Sequence, residues 1–183
     1  LITIPLFLLA GELMNVSGIS RRLMDFATAL TGHMPGGLAQ VNVVVSTLKG
    51  GMSGSANADA AMDAKMLVPE MTRRGYDPAF SSAVTATSAF TAAMLPPSIS
   101  LLMFGFVTDT SIGALFLAGI VPSILLTFAF MAATHIVAKR RGYGGDTPWL
   151  GWGVVGRTFV RSLPALLLPL VIAYTFTVSA DSG

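Results

Sequence analysis

The stretch SIGALFLAGIVPSILLTFAFMAATHIVA, residues 111–138, carries one histidine and no formally charged side chain. A helix needs about 20 predominantly apolar residues to span the hydrocarbon of a bilayer, so this run is long enough to cross. SLPALLLPLVIAYTFTVSA at 162–180 has the same character, and LITIPLFLLAG at 1–11 is a third run that begins abruptly. No basic, signal-type segment precedes it, and we read 1–15 as a transmembrane helix cut at its N-terminal end, with Glu12 at the interface. Charged residues make up 11% of the chain, against about 25% in soluble globular proteins. These constraints predict an all-α integral membrane protein with several crossings. Having no cysteine, the chain can form neither disulfides nor thiolate metal sites. The net charge of +2 comes from basic residues at the ends of apolar runs, where orientation signals belong. No nucleic-acid partner is expected.

Between the long runs the pattern changes. VSGISRRLMDFATALTGHMPGG (16–37) spaces Ile19, Leu23, Phe26, Ala27 and Leu30 as on one helix face, with Arg21, Arg22 and Asp25 on another. An amphipathic helix is expected over 16–35, either lying at the membrane interface or serving as an ordinary connector. The apolar arms that follow, LAQVNVVVSTL (38–48) and AAMDAKMLVPEM (60–71), flank the polar stretch GGMSGSANADAA (50–61). Neither arm reaches bilayer width. PAFSSAVTATSAFTAAML (78–95) then runs into Pro96-Pro97-Ser98, and ISLLMFGFV continues beyond the prolines.

Charge decides how these pieces are threaded. Basic clusters stand at Arg21/Arg22, Arg73/Arg74, Lys139/Arg140/Arg141 and Arg157/Arg161, and short cytoplasmic loops are enriched in Lys and Arg. A single crossing over 38–71 would put the first two clusters on opposite sides. A re-entrant helical hairpin over 38–71 puts them on one side. A Pro-broken helix over 78–106 then goes out, and 111–138 returns. The segment 139–161, with its GYGGDTPWLGWGVVG stretch, is expected as a cytoplasmic loop carrying interfacial Trp149 and Trp152.

A hairpin tip at membrane depth is tolerated only where protein buries it or it lines a wet cavity. The tip falls at Ser53-Gly54-Ser55-Ala56, with Asn57 and Asp59 following. Ser53, Ser55 and Asn57 offer neutral oxygens to a small cation such as Na⁺, and Gly54 permits a sharp turn. Interrupted helices of this kind point to the site of a secondary transporter, since their ends aim dipoles and freed carbonyls at ions and substrate. The same small residues also serve as packing residues between membrane helices. Ionisable groups at depth are usually functional or paired. Asp59 and Asp63 share a face, Lys65 is turned about 160° from Asp63, and Asp59 is either a site residue or a dipole-stabilised helix start.

Gly51-Met52-Ser53-Gly54 also fits the GxSG pattern of rhomboid-type intramembrane proteases. That chemistry needs a base within reach of the serine. The two histidines, His33 and His135, are expected near helix ends and away from Ser53.

Taken in order, IPLFLLAGELM (4–14), GISRRLMDFATALTGHMPGGLAQVNV (18–43), the GGMSGSANADAA stretch, LVPEMTRRGYDPAF (67–80), LPPSISLLMFG (95–105) and SIGALFLAGIVPSILL (111–126) resemble the large membrane subunit of TRAP (tripartite ATP-independent periplasmic) transporters. The resemblance implies one inverted-repeat half of an elevator-type transporter in a bacterial or archaeal inner membrane. It implies Na⁺-driven import of an organic acid delivered by a periplasmic binding protein, with a small membrane subunit as partner. On that reading 36–106 is half of the transport domain, and 107–183 holds scaffold-type helices at 111–138 and 162–180. Its site comprises Ser53, Gly54, Ser55, Ala56, Asn57, Asp59, Pro96, Pro97 and Ser98, with Na⁺ on Ser53, Ser55 and Asn57. No enzyme activity and no resident cofactor are implied. Asn57, Asp63, Ala64 and Lys65 depart from the small apolar residues or glycine usual there, which leaves the substrate open. A related carrier that works without a binding protein is the runner-up.

Overall fold

The computed structural model describes residues 19–164 and 167. The helix expected over 1–15, with Glu12, lies outside them, as does most of 162–180. Among the described residues all regular structure is helical: α1 (Ile19–Thr31), α2 (Gly37–Ser53), α3 (Ala56–Arg73), α4 (Pro78–Ala89) running into a 3₁₀ turn (Phe90–Ala93), α5 (Ile99–Thr108), α6 (Ile112–Arg140) and α7 (152–164).

Local chemistry sets the boundaries. Gly54, with φ 61°, closes α2 in the left-handed region, which glycine enters without the steric penalty other residues meet. One residue later the Ser55 side chain accepts from the Ala58 N–H and opens α3. Asp77 caps α4, whose first residue is Pro78. Ser98 and Ser111 cap α5 and α6 in the same way. Lys139 and Arg140 fill the last turn of α6, where cations complement the helix dipole.

The chain enters and leaves the α2–α3 hairpin at one end. At the entrance Gly36 N–H donates to the carbonyls of Tyr143 and Gly144. At the exit Arg74 lies 3.8 Å from Asp146, and Arg141 pairs with Asp77 at 2.7 Å. The Arg73/Arg74 and Lys139–Arg141 clusters therefore stand at the same end of the bundle. Asp146 ties this end together by accepting from the Leu38 amide and the Tyr76 hydroxyl. Burial, reinforced by that carboxylate, holds the Tyr76 phenol above its usual range.

Val41, Val43, Val45, Leu67, Met71, Phe80 and Val84 form the apolar core between α2, α3 and α4. The apolar side of α1 packs on α2 with Leu23 and Ala27 fully buried, while Arg21, Arg22 and Asp25 stay exposed. At about 1.5 Å per residue the 29 residues of α6 span roughly 43 Å. Among the described residues it is the one helix long and apolar enough to cross a membrane, and Leu117, Val121, Leu125 and Phe128 on it are exposed.

The loop expected over 139–161 is corrected: it extends only to residue 151, and 152–164 is helical. Glycines at 153 and 156 argue against helix by propensity. Packing overrides them, since Phe159 meets Phe26 of α1 at 5.6 Å and the Ser162 hydroxyl donates to the Arg22 carbonyl.

Candidate functional site

The hairpin tip and the proline break meet. Ile99 N–H, at the start of α5, donates to the Gly54 carbonyl at 3.2 Å. The N-termini of α3 and α5 therefore lie side by side, and both carry positive dipole ends. Gly50 makes the approach possible: a Cβ there would fall 2.5 Å from the Ala92 Cα in the 3₁₀ turn. Ser98 braces the break, its hydroxyl donating to the Ala93 carbonyl at 2.6 Å and accepting from the Leu101 amide.

Within the tip, Ser53 Oγ donates to Asp59 Oδ2 at 2.5 Å and accepts from the Ser55 amide. Asp59 is 1% exposed, so the tip serine screens a buried carboxylate. The helix-start role is also realised, since Asp59 occupies the first turn of α3.

Beneath the tip lies a polar lattice. Asn42, Ser46 and Lys49 on α2 face Asp63 on α3 and Thr85 and Ser88 on α4. Lys49 Nζ lies 2.6 Å from Asp63 Oδ1, and both side chains are almost wholly buried. Ser46 Oγ donates to Asp63 Oδ2 at 2.9 Å and lies 3.1 Å from Ser88 Oγ. Asn42 Nδ2 donates to Thr85 Oγ1 at 2.6 Å. Lys49 was missed as the partner of Asp63. Its signal was the i, i+4, i+7 spacing of Asn42, Ser46 and Lys49 in an otherwise apolar helix, matched by Ser81, Thr85 and Ser88 on α4. Lys65 is exposed.

Of the nine candidate residues, the structure gathers Ser53, Gly54, Ser55 and Ala56 at the tip, Asp59 behind it, and Pro96, Pro97 and Ser98 alongside. Asn57 is not drawn in. It lies exposed, two residues from buried Asp59 and so on nearly the opposite face. Among the described residues no group of three or more His, Asp or Glu side chains could hold a metal. A small cation at the tip would therefore rely on hydroxyl and carbonyl oxygens, the donor set that broken helices supply.

Neither histidine serves Ser53. His33 packs against Trp149 at 4.5 Å beyond the opposite end of α2, whose 17 residues span about 25 Å. His135 lies one turn past Met131, whose carbonyl accepts from Gln40 near the start of α2. The Ser53 hydroxyl is directed at the Asp59 carboxylate and not at a histidine.

Over residues 1–182 the sequence matches the family described as "Tripartite ATP-independent periplasmic transporter, DctM component". The chain belongs to this family. It is 40% identical to the sialic acid TRAP transporter permease protein SiaT of Haemophilus influenzae, over 94% of this chain and 28% of that one. It is 43% identical to the large permease protein SiaM of Vibrio cholerae, over 78% of this chain and 34% of that one. Identity to the C4-dicarboxylate large permease protein DctM of Pseudomonas aeruginosa is 40%, over 76% and 33%. The chain thus spans about a third of the length of these relatives. They are named as permeases, not enzymes, and proteins of the DctM family are membrane proteins.

Proposed function

We propose that the chain forms one half of the ion and substrate site of a sodium-coupled organic-acid importer, in the large membrane subunit of a TRAP transporter. The observation that carries this reading is the Ile99–Gly54 hydrogen bond, which joins a helix–turn–helix tip to a proline-broken helix. Freed carbonyls and the Ser53 and Ser55 hydroxyls at this junction would take Na⁺. The paired N-termini of α3 and α5 would take the substrate carboxylate, as half-helix dipoles do in other carriers. Ion binding would order the tip and complete the anion site, which couples the two ligands. In a bilayer the α2–α3 hairpin would be re-entrant, its base at the cytoplasmic face with the basic clusters and its tip at depth. The hairpin, α4 and α5 would then carry ion and acid together in an elevator-like movement.

The relatives' names, among them sialic acid and C4-dicarboxylate carriers, support an acid as cargo. A periplasmic binding protein would deliver it and a small membrane subunit would brace the complex in the inner membrane. The full-length subunit with its small partner, reconstituted in proteoliposomes, tests this. Uptake of a labelled organic-acid panel should require both an inward Na⁺ gradient and the binding protein. Uptake indifferent to Na⁺ would defeat the coupling. Uptake that needs Na⁺ but ignores the binding protein would defeat the delivery step.

A further inference from the structure

A second polar constellation lies far from the hairpin tip. Arg22 and Asp25 on α1, with Thr158 and Arg161 on α7, line a cavity of about 280 Å³. The two helices are held side by side by the Phe26–Phe159 contact and by the Ser162 hydroxyl on the Arg22 carbonyl. Among the described residues neither guanidinium has an ion-pair partner, and Asp25 has none either. Two cations and one anion, unpaired among the described residues, therefore face one cleft, and the hydroxyl of Thr158 adds a neutral donor.

The surroundings are apolar. On α7, Trp152, Val154, Phe159 and Val160 are exposed, and Trp149 stands just before it. Trp149 and Trp152 form an edge-on pair at 5.4 Å. The pair stands against His33, past the C-terminal end of α1 and at the other end of α7 from Arg161. Basic pockets between helices on the cytoplasmic side are suited to lipid headgroups.

We propose that this cleft binds the headgroup of an aminophospholipid, with Arg22 and Arg161 on its phosphodiester and Asp25 on its ammonium. The charge pattern selects among lipids. A phosphate alone would leave the Asp25 carboxylate facing an anion, and a headgroup with only hydroxyls would offer it neutral donors without a compensating charge. A choline headgroup has no N–H to donate to Asp25. A primary ammonium satisfies all three charged side chains, while its acyl chains lie along the apolar face of α7. The inference rests on the membrane placement of the chain but not on Na⁺ coupling or on the cargo.

The test is native mass spectrometry of the full-length transporter, released from nanodiscs containing equal parts phosphatidylethanolamine, phosphatidylglycerol and phosphatidylcholine. Retained lipid is counted without Na⁺ or acid, so the result stands apart from transport. Wild type should retain phosphatidylethanolamine preferentially. Arg161→Ala should weaken its retention about five-fold, as loss of one arginine near a phosphate predicts. Asp25→Asn, on an exposed helix face and nearly isosteric, should keep bound phospholipid but lose the preference for phosphatidylethanolamine over the other two. Equal retention of the three lipids by wild type, or unchanged retention in both variants, would overturn the proposal. Glycerophosphoethanolamine added to the detergent-solubilised protein separates the sources. Displacement of lipid at equal concentration would overturn the lipid assignment in favour of a soluble phosphodiester; failure to displace it would uphold the lipid.

Discussion

Lys49→Met should strand the Asp63 carboxylate inside the hairpin. The 2.6 Å separation gives an attraction of about 6 kcal/mol at an effective dielectric near 20. Removing each ion from water costs several kcal/mol, so the intact pair adds little net stability. A single truncation abolishes the attraction and leaves the other ion's desolvation in place. Lys49→Met and Asp63→Leu should therefore each destabilise by about 3–5 kcal/mol. The double variant replaces an ion pair with apolar side chains, and Ser46 still keeps Asn42 and Ser88 as partners. It should recover to within about 1–2 kcal/mol of wild type, because buried ion pairs exchange for hydrophobic residues at little net change. Denaturant unfolding of the full-length subunit in detergent supplies the four corners of a double-mutant cycle. Additive losses, with the double variant as unstable as the sum of the singles, would refute the claim that the two charges compensate each other.

Other perturbations bear on separate contacts. Gly50→Ala drives a methyl into the Ala92 backbone and should lower stability by about 1–3 kcal/mol. Adding Ala92→Gly should restore part of it in the same melts. Asp146→Ala removes the acceptor of the Leu38 amide and the Tyr76 hydroxyl. It should lower stability by about 1–3 kcal/mol through the unsatisfied groups, read as a fall in melting temperature. The Arg141 guanidinium holds the Asp77 carboxyl below its ordinary value. That lowering stabilises the folded state above the ordinary carboxylate pKa, and the gain is lost as pH falls through the depressed one. The melting-temperature gap between wild type and Asp77→Asn should therefore be widest near neutrality and close in acid. A gap independent of pH would contradict the pairing.

Much of the fold was legible because its punctuation is chemical. Gly54 and Ser55 mark a helix end and a helix start within two residues, and the α2–α3 turn falls there. Pro96-Pro97-Ser98 breaks the next helix for the same reason: proline removes donors and serine caps. Helix α7 was not legible, because its glycines mask an apolar stripe whose meaning depends on α1, distant in sequence. Helical geometry turns Lys65 away from Asp63 on its own helix, and the residue that neutralises Asp63, Lys49, comes from the other hairpin arm. Pairing across a turn depends on how the arms face each other, and single-helix periodicity does not report that. Asn57 was grouped with Ser53 and Ser55 by proximity in sequence, but helical geometry turns it outward once α3 begins at Ala56.

The central claim is that the hairpin tip binds the coupling ion. Its most direct test is the Na⁺ dependence of organic-acid uptake by the reconstituted full-length transporter, compared between wild type and Ser53→Ala. Loss of the tip hydroxyl should raise the Na⁺ concentration needed for half-maximal uptake, while uptake at saturating Na⁺ persists. An unchanged Na⁺ dependence in Ser53→Ala would contradict the account.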